Sequence, residues 1–247
     1  MQTDKDWYKS WFDSKYYPIL YQDRNEHEAQ QFVDALMQYL QIPQDAIVAD
    51  MACGEGRFAK QLSKYTAKVM GFDLSNERIQ KAKERYEDEH TSFYVHDMRQ
   101  PMHVNYFDYV FNFFTSFGYF DTYRDHFSAA KSMSNALKEQ GILVIDYFNN
   151  NYIKKHLVPS EQKQVGDIVF DIKRTVADGK IIKSIRFKDE EGILNHFEER
   201  VSDVSKENFE NLFNKAGLQL IQTFGDYQLN AFDNNVSPRL IMVFKKQ

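Results

Sequence analysis

The chain is poor in cysteine: Cys53 stands alone in 247 residues. A lone cysteine excludes an intramolecular disulfide, and no His, Cys or carboxylate residues fall into a recognised metal-ligand spacing, so neither a redox nor a metal role is expected. Long apolar runs are missing too. None approaches the ~18 residues that would cross a bilayer, and the opening MQTDKDWYKSW has neither the charged nor the apolar region of a signal peptide. No membrane association is expected, and the cytoplasm is the expected compartment. Basic charge is also short, with 31 Lys and Arg against 36 Asp and Glu and a net charge of -5. Without a global basic field to gather phosphates, a small molecule is the favoured partner over nucleic acid, although a local basic patch for RNA stays open.

What the chain does have is 43% hydrophobic and 15% aromatic residues, enough for a large core in one globular α/β domain with an inserted subdomain. It is organised around AIVADMACGEGRFAKQLSKYTAKVMGFD, residues 46–73. An apolar run ends at Asp50, two close glycines follow, an amphipathic segment comes next, and a second apolar run closes at Asp73. That pattern is strand, loop, helix, strand. Gly54 and Gly56 allow the backbone to turn and approach a ligand closely, and Asp73 can accept hydrogen bonds from a ribose diol. Ala52 and Leu74 flank these positions and join the candidate set.

The spacing Gly54, Gly56, Ala59 also satisfies a dinucleotide fingerprint, with Asp73 at about the ~20-residue distance of its acidic member. A nicotinamide-dependent oxidoreductase is therefore one reading. Charge argues for another. Asp50 and Glu55 place negative charge where a pyrophosphate would lie. S-adenosylmethionine (AdoMet) would bring an ammonium to Asp50, and Arg57 stands where it could pair with the methionine carboxylate.

DMACGEGRFAKQL, GFDLSNERIQKAKER, FYVHDMRQP and FDYVFNFFTSFGYF resemble, in order and interval, the successive motifs of class I AdoMet-dependent methyltransferases. TSFGYF and the closing FGDYQLNAFDNNVSPRLIMVFKK further resemble a group of small bacterial members of that class. The resemblance implies a Rossmann-like seven-stranded sheet, mostly parallel with the last strand antiparallel. It implies S-adenosyl-L-methionine as cofactor, with Asp97 accepting from the adenine amino group and Met98 packing beside the ring. Asn112 and Phe113 would end the fourth strand at the cofactor edge. NFFT departs from the NPPY-type motif of amino-directed nucleic-acid methyltransferases, which speaks against base methylation. The methyl acceptor is expected to be a small molecule attacking through N or O. An AdoMet-binding regulatory module without transfer, or an RNA-directed enzyme, are the alternatives.

The remaining chain divides around this core, residues 46–150. Residues 1–45 are expected to form an N-terminal helical cover, dense in aromatic rings, from which Tyr16, Tyr21 and Arg24 are substrate candidates. Tyr119 and Tyr147 join them from the core, as does Asn149 at the end of the fifth strand. Tyr119, Tyr147 and Asp146 are the candidates for a general base, should the acceptor bind protonated. Residues 151–204 are read as an inserted antiparallel subdomain. VFDIKRTV, KIIKSIRF and ILNHFEERV alternate in hydropathy, and an Asp178-Gly179 turn joins the first two, which predicts a three-stranded meander. It would enclose substrate or serve as a homodimer interface. Residues 205–247 are expected to complete the core sheet.

Overall fold

The computed structural model describes residues 7–22 and 26–247. At its centre lies β1 (Ile47–Met51), buried on both sides and paired in parallel with β2 (Lys68–Asp73) and β4 (Phe107–Asn112). β3 (Thr91–Val95) extends the sheet beyond β2, and β5 (Leu137–Phe148) extends it beyond β4. The insertion supplies β6 to β9, and β10 (Leu218–Phe224) and β11 (Arg239–Lys246) then return to the first sheet. β11 lies antiparallel between β5 and β10, giving the order β10-β11-β5-β4-β1-β2-β3. This is the seven-stranded, mostly parallel sheet that the sequence predicts. Chain order reverses between β1 and β4, and open α/β sheets bind ligands at such a switch point, beyond the carboxyl ends of the strands.

Helices cover both faces. Two short ones, α1 (Trp7–Phe12) and α2 (Tyr16–Leu20), precede α3 (Glu26–Leu40), whose Ala29, Phe32, Val33, Leu36 and Met37 recur at helical spacing and are buried. α4 (Arg57–Leu62) follows the glycine loop. α5 (Asn76–Tyr86) is capped by Ser75, whose hydroxyl accepts the Arg78 N–H. Thr122 and Ser205 cap α6 (Tyr123–Ala136) and α8 (Lys206–Lys215) in the same way, and the short α7 (Asn150–Lys155) begins on Asn149.

The insertion differs from expectation in one strand. It holds four, β6 (Ser160–Val165), β7 (Ile168–Ala177), β8 (Lys180–Lys188) and β9 (Leu194–Ser202), in simple antiparallel order. β6 reads SEQKQV, an edge strand whose alternate positions are polar on both faces, so hydropathy gives it no period to detect. One face of this second sheet is covered by α1 and α2: Trp7, Trp11, Tyr16 and Leu20 are buried against Phe170, Ile172, Ile185 and Phe187. The first and the inserted segments of the chain therefore share a core of their own.

Where this subdomain meets the main sheet, Gly118 has φ +98°, and a Cβ there would collide with the Tyr147 hydroxyl and lie 3.1 Å from Cε2. Tyr147 cannot retreat, being fully buried with its hydroxyl donating to the Ser202 carbonyl at 2.6 Å. Gly118→Ala is expected to destabilise by ~2–3 kcal/mol, lowering Tm by roughly 5–10 °C. Gly166→Ala is the control: its φ is also positive at +57°, yet nothing lies within 4 Å of the added carbon. Equal melting shifts for the two would show that strain alone, and not the Tyr147 collision, sets the loss.

Candidate active site

The carboxyl ends of β1, β2 and β4 open into a cavity of about 790 Å³, walled on its far side by α1, α2 and the inserted sheet. The glycine loop forms its floor. Cys53 N–H donates to Phe72 O, Gly56 N–H donates back to Cys53 O, and Lys60 N–H donates to Gly56 O, so the loop closes directly into α4. Ala52 holds a left-handed backbone at φ +61° to make this turn, a conformation that costs an L-residue ~1–2 kcal/mol. Gly54 leaves room for Arg78, whose Nη1 would lie 2.9 Å from a Cβ at that position. Gly56 does not line the cavity; a Cβ there would strike Phe93 at 2.8 Å, so its glycine serves helix-to-sheet packing.

Two acids sit at adjacent strand ends. Asp73 ties the site together, its Oδ2 accepting from Gly54 N–H at 2.8 Å and its Oδ1 from Ser75 N–H at 2.9 Å. Burial raises its pKa, against the pull of Arg78 and of those two N–H groups. Asp50 does not line the cavity; it is 1% exposed, and its Oδ2 has no hydrogen-bond partner among the described residues. Its pKa is pushed up to about 7, by burial first and by Asp73 second, while the Ala59 N–H and the Arg57 charge act in the other direction. Arg57 lines the cavity with its guanidinium over the Phe58 ring at 4.6 Å and the Phe114 ring at 5.8 Å.

The remaining cofactor candidates separate. Leu74, Met98 and Phe113 line the cavity, Phe113 stacked on Phe58 at 4.3 Å. Asp97 lines it as well, already paired with Arg99 through Nε and through Nη2 at 2.6 Å. Burial works against its ionisation, and Arg99 overrides it, holding the carboxyl below the usual range. Asn112 is displaced from the predicted place: it is fully buried, does not reach the cavity, and donates to the Met51 carbonyl at 2.8 Å, tying β4 to β1.

Among the substrate candidates, Tyr21 and Tyr119 line the cavity. Arg24 lies outside the described residues. Tyr16 does not line the cavity; its ring packs on Phe187 and its hydroxyl donates to Asp189 at 3.0 Å, inside the core that α2 shares with the inserted sheet. Asn149 is also withdrawn, capping α7 and donating to the Asn234 and Ser237 carbonyls. Tyr147 is sealed beneath Gly118, and burial pushes its pKa well up, which removes it as a base. Asp146 is spent as well: fully buried, it accepts from Phe114 N–H, the Tyr227 hydroxyl and the Arg239 guanidinium. Of the three base candidates only Tyr119 faces the cavity.

Four strongly placed residues were not anticipated. Arg239 clamps Asp146 and Thr115, fixing the turn in which Phe114 and Thr115 both have φ +60°. In the inserted sheet, Arg174, Lys183 and Glu199 stand opposite one another across β7, β8 and β9, and all three line the cavity. The neighbouring rows on the same face are apolar: Ile172, Ile185 and Phe197 on one side, Val176, Ile181 and Val201 on the other. Charge at the inward phase of an alternating strand is the signal that marks Lys183 and Glu199 in the sequence.

A methyltransferase-domain family matches residues 43–217, which includes every element of this cavity except the N-terminal cover and the last strand. The chain belongs to that family. Consistent with it, 107 residues are 30% identical to YqeM of Bacillus subtilis, a protein with a provisional methyltransferase name; the match covers 42% of this chain, and the chain spans 43% of that relative's length. Two solved structures share the architecture of this methyltransferase domain almost end to end. An S-adenosylmethionine-dependent methyltransferase from Clostridium acetobutylicum aligns over 94% of this chain and 96% of its own, with a TM-score of 0.78 at 18% identity. CalS10, an amino pentose methyltransferase from Micromonospora echinaspora solved with SAM bound, aligns over 95% and 98%, with a TM-score of 0.71 at 18% identity. At such identities the likeness is one of fold. Family and fold together support S-adenosyl-L-methionine as the cofactor. The residues present fit it, since an orphaned buried carboxylate oxygen under the floor suits an ammonium above, and Asp73 suits a diol.

The unusual pKa of Asp50 yields a pH test. An ammonium-bearing ligand binds best to the ionised carboxylate, so S-adenosylhomocysteine (SAH) affinity should weaken as pH falls from 8 to 6, approaching tenfold per pH unit below the pKa. Asp50→Asn should bind less tightly and flatten this dependence. Without ligand the sign reverses: the folded chain holds a proton that the unfolded chain has released, so stability declines as pH rises from about 4 towards 7. Calorimetric titration of both proteins checks this, and a flat wild-type profile would remove Asp50 from the ammonium site.

Proposed function

We propose that this chain transfers the methyl group of AdoMet to an amine or hydroxyl of a polar small molecule. The observation that carries the reading is the continuity of one cavity, from the Gly54 and Asp73 floor to the charged row of the inserted sheet. A volume of about 790 Å³ is in the range of a small-molecule site.

AdoMet, when bound, supplies an electrophilic methyl on a sulfonium, a reaction that needs alignment and the exclusion of water more than an acid catalyst. Asp73 would hold the ribose and Arg57 the methionine carboxylate, while Asp97 and Met98 would face the adenine. Tyr8, Phe12, Tyr17 and Tyr119 close the opposite wall with aromatic surface, which keeps water from the reacting atoms. The acceptor side is polar in a way that a core is not. Tyr21 donates to Glu199 at 2.5 Å, Trp11 donates to the same oxygen at 2.7 Å, and Lys183 donates to the Tyr21 hydroxyl at 2.5 Å. Desolvating such charges is not repaid by pairing alone, so their position on the cavity wall is explained by a ligand with hydroxyl or charged groups of its own. The amino pentose acceptor named for CalS10 is of this kind. A net charge of -5 argues against the RNA-directed alternative.

The test is incubation with methyl-labelled AdoMet and a panel of amino sugars, polyhydroxylated amines, hydroxy acids and total RNA, read as labelled product and SAH. Labelled small molecule is the expected outcome. SAH binding with no product over the panel would favour a non-transferring module, and label in RNA would favour the other alternative. With an acceptor in hand, Lys183→Met should lower kcat/KM for it at least tenfold while SAH affinity stays within about threefold. Loss of SAH binding in that variant, with the fold intact, would place Lys183 on the cofactor side.

A further inference from the structure

The turn that presents Asp73 to a ribose is also where the N-terminal cover is fastened. Ser75, which donates its N–H to Asp73 and caps α5, turns its hydroxyl to the carboxylate of Asp13. One helical turn on, Arg78 Nε donates to the Phe12 carbonyl at 3.0 Å. Its guanidinium lies over the Tyr17 ring at 4.4 Å and the Phe12 ring at 5.6 Å, and its charge acts on Asp73. Arg78 thus touches the backbone and two rings of the cover with one end of its fork while facing Gly54 and Asp73 with the other. The far side of the same cover is held by Glu199, through Trp11 and Tyr21.

We propose, resting on the AdoMet reading, that Arg78 is the positioning residue that pins the N-terminal cover to the cofactor turn, so that filling the cofactor site and closing the acceptor chamber stabilise each other. The physical route is short. Ribose hydroxyls on Asp73 fix its carboxylate; a fixed carboxylate holds the Arg78 guanidinium; and the guanidinium holds Phe12 and Tyr17, which are chamber wall. Thermodynamic reciprocity then requires that a detached cover weaken the cofactor by the same factor that the cofactor strengthens the cover. A chamber assembled in this order admits the acceptor to a site already shielded from water on the donor side.

The sequence supplies its own reporter, since both tryptophans of the chain, Trp7 and Trp11, lie in α1. In Arg78→Met, which keeps most of the aliphatic stem, tryptophan emission of the unliganded protein should shift to the red. Trypsin should cut at Lys9 and Lys15 at least fivefold faster than in wild type, and SAH should no longer slow that cleavage. SAH affinity should fall about 5- to 20-fold, within the usual span of coupling between sites. Asp13→Asn, on the cover and not on the cofactor floor, should give a similar but smaller loss, and the two losses should fall well short of adding in the double variant. Arg78→Lys should fail to restore wild-type behaviour, because an ammonium lacks the flat fork that stacks on Tyr17. Additive losses, or weaker SAH binding with unchanged emission and cleavage, would overturn the proposal and leave Arg78 a plain cofactor contact. If wild type bound no SAH at all, the cofactor reading and the coupling would both fall, while emission and cleavage of the unliganded variant would still decide whether Arg78 pins the cover.

Discussion

The burial of two carboxylates at neighbouring strand ends is the constraint on which the rest of this structure depends. Asp50 and Asp73 lie at the ends of β1 and β2; burial raises the cost of ionising both, and the charge of Asp73 adds to it at Asp50. A fold selected for stability alone would place apolar residues there. Instead the chain spends backbone N–H groups of Gly54 and Ser75 on Asp73 and sets Arg57 and Arg78 around the pair. Those donors draw the glycine loop and the β2–α5 turn together, and the same contacts that ease the charge shape the cavity floor. What is left over is one carboxylate oxygen of Asp50 with no partner among the described residues, a deficit that a cationic ligand would remove.

The inserted sheet states a similar choice in a different element. The two rows that flank its charged row on the inner face are apolar, and the row of Ile172, Ile185 and Phe197 packs in the core shared with α1 and α2. Directly opposed cations such as Arg174 and Lys183 disfavour one another. Each is supplied with a carboxylate from the flank, Glu161 for Arg174 and Glu199 for Lys183. Removing all four charges in favour of aliphatic side chains would be expected to leave the sheet as stable or more so, which is the reason for reading the row as recognition and not as glue.

The seven-stranded sheet with its antiparallel last strand followed from the resemblance to the methyltransferase class, and the strand-loop-helix-strand unit at residues 46–73 from local patterns: apolar runs, two glycines at fixed offset, acids at strand ends. Legibility failed where a residue's role depends on what is folded over it from far along the chain. Asn112, Tyr147 and Asn149 stand at strand ends just as Asp73 does, but each meets a backbone carbonyl from another segment and is buried by it. Tyr16 and Tyr21 are five residues apart on the same short stretch; one faces Phe187 and the other the cavity, and sequence spacing alone cannot rank them. Strand β6 escaped detection since an edge strand with polar residues on both faces has no hydrophobic period.

That dependence on distant segments also explains why the far wall of the cavity is harder to read than its floor. The floor is written in one stretch of 28 residues, from 46 to 73, where spacing constrains geometry. The opposite wall is made by residues 7–22 closing against residues 160–202, a contact across more than a hundred positions that buries Trp11 against Phe197 and joins it to Glu199. Substituting any one wall residue alters the shape of the cavity there without touching the glycine loop. A floor fixed by local spacing and a wall that can vary independently of it follow from this division. Such a wall must be joined back to the floor, and in this chain the joint runs through Ser75, the N-cap of α5, and Arg78 in its first turn.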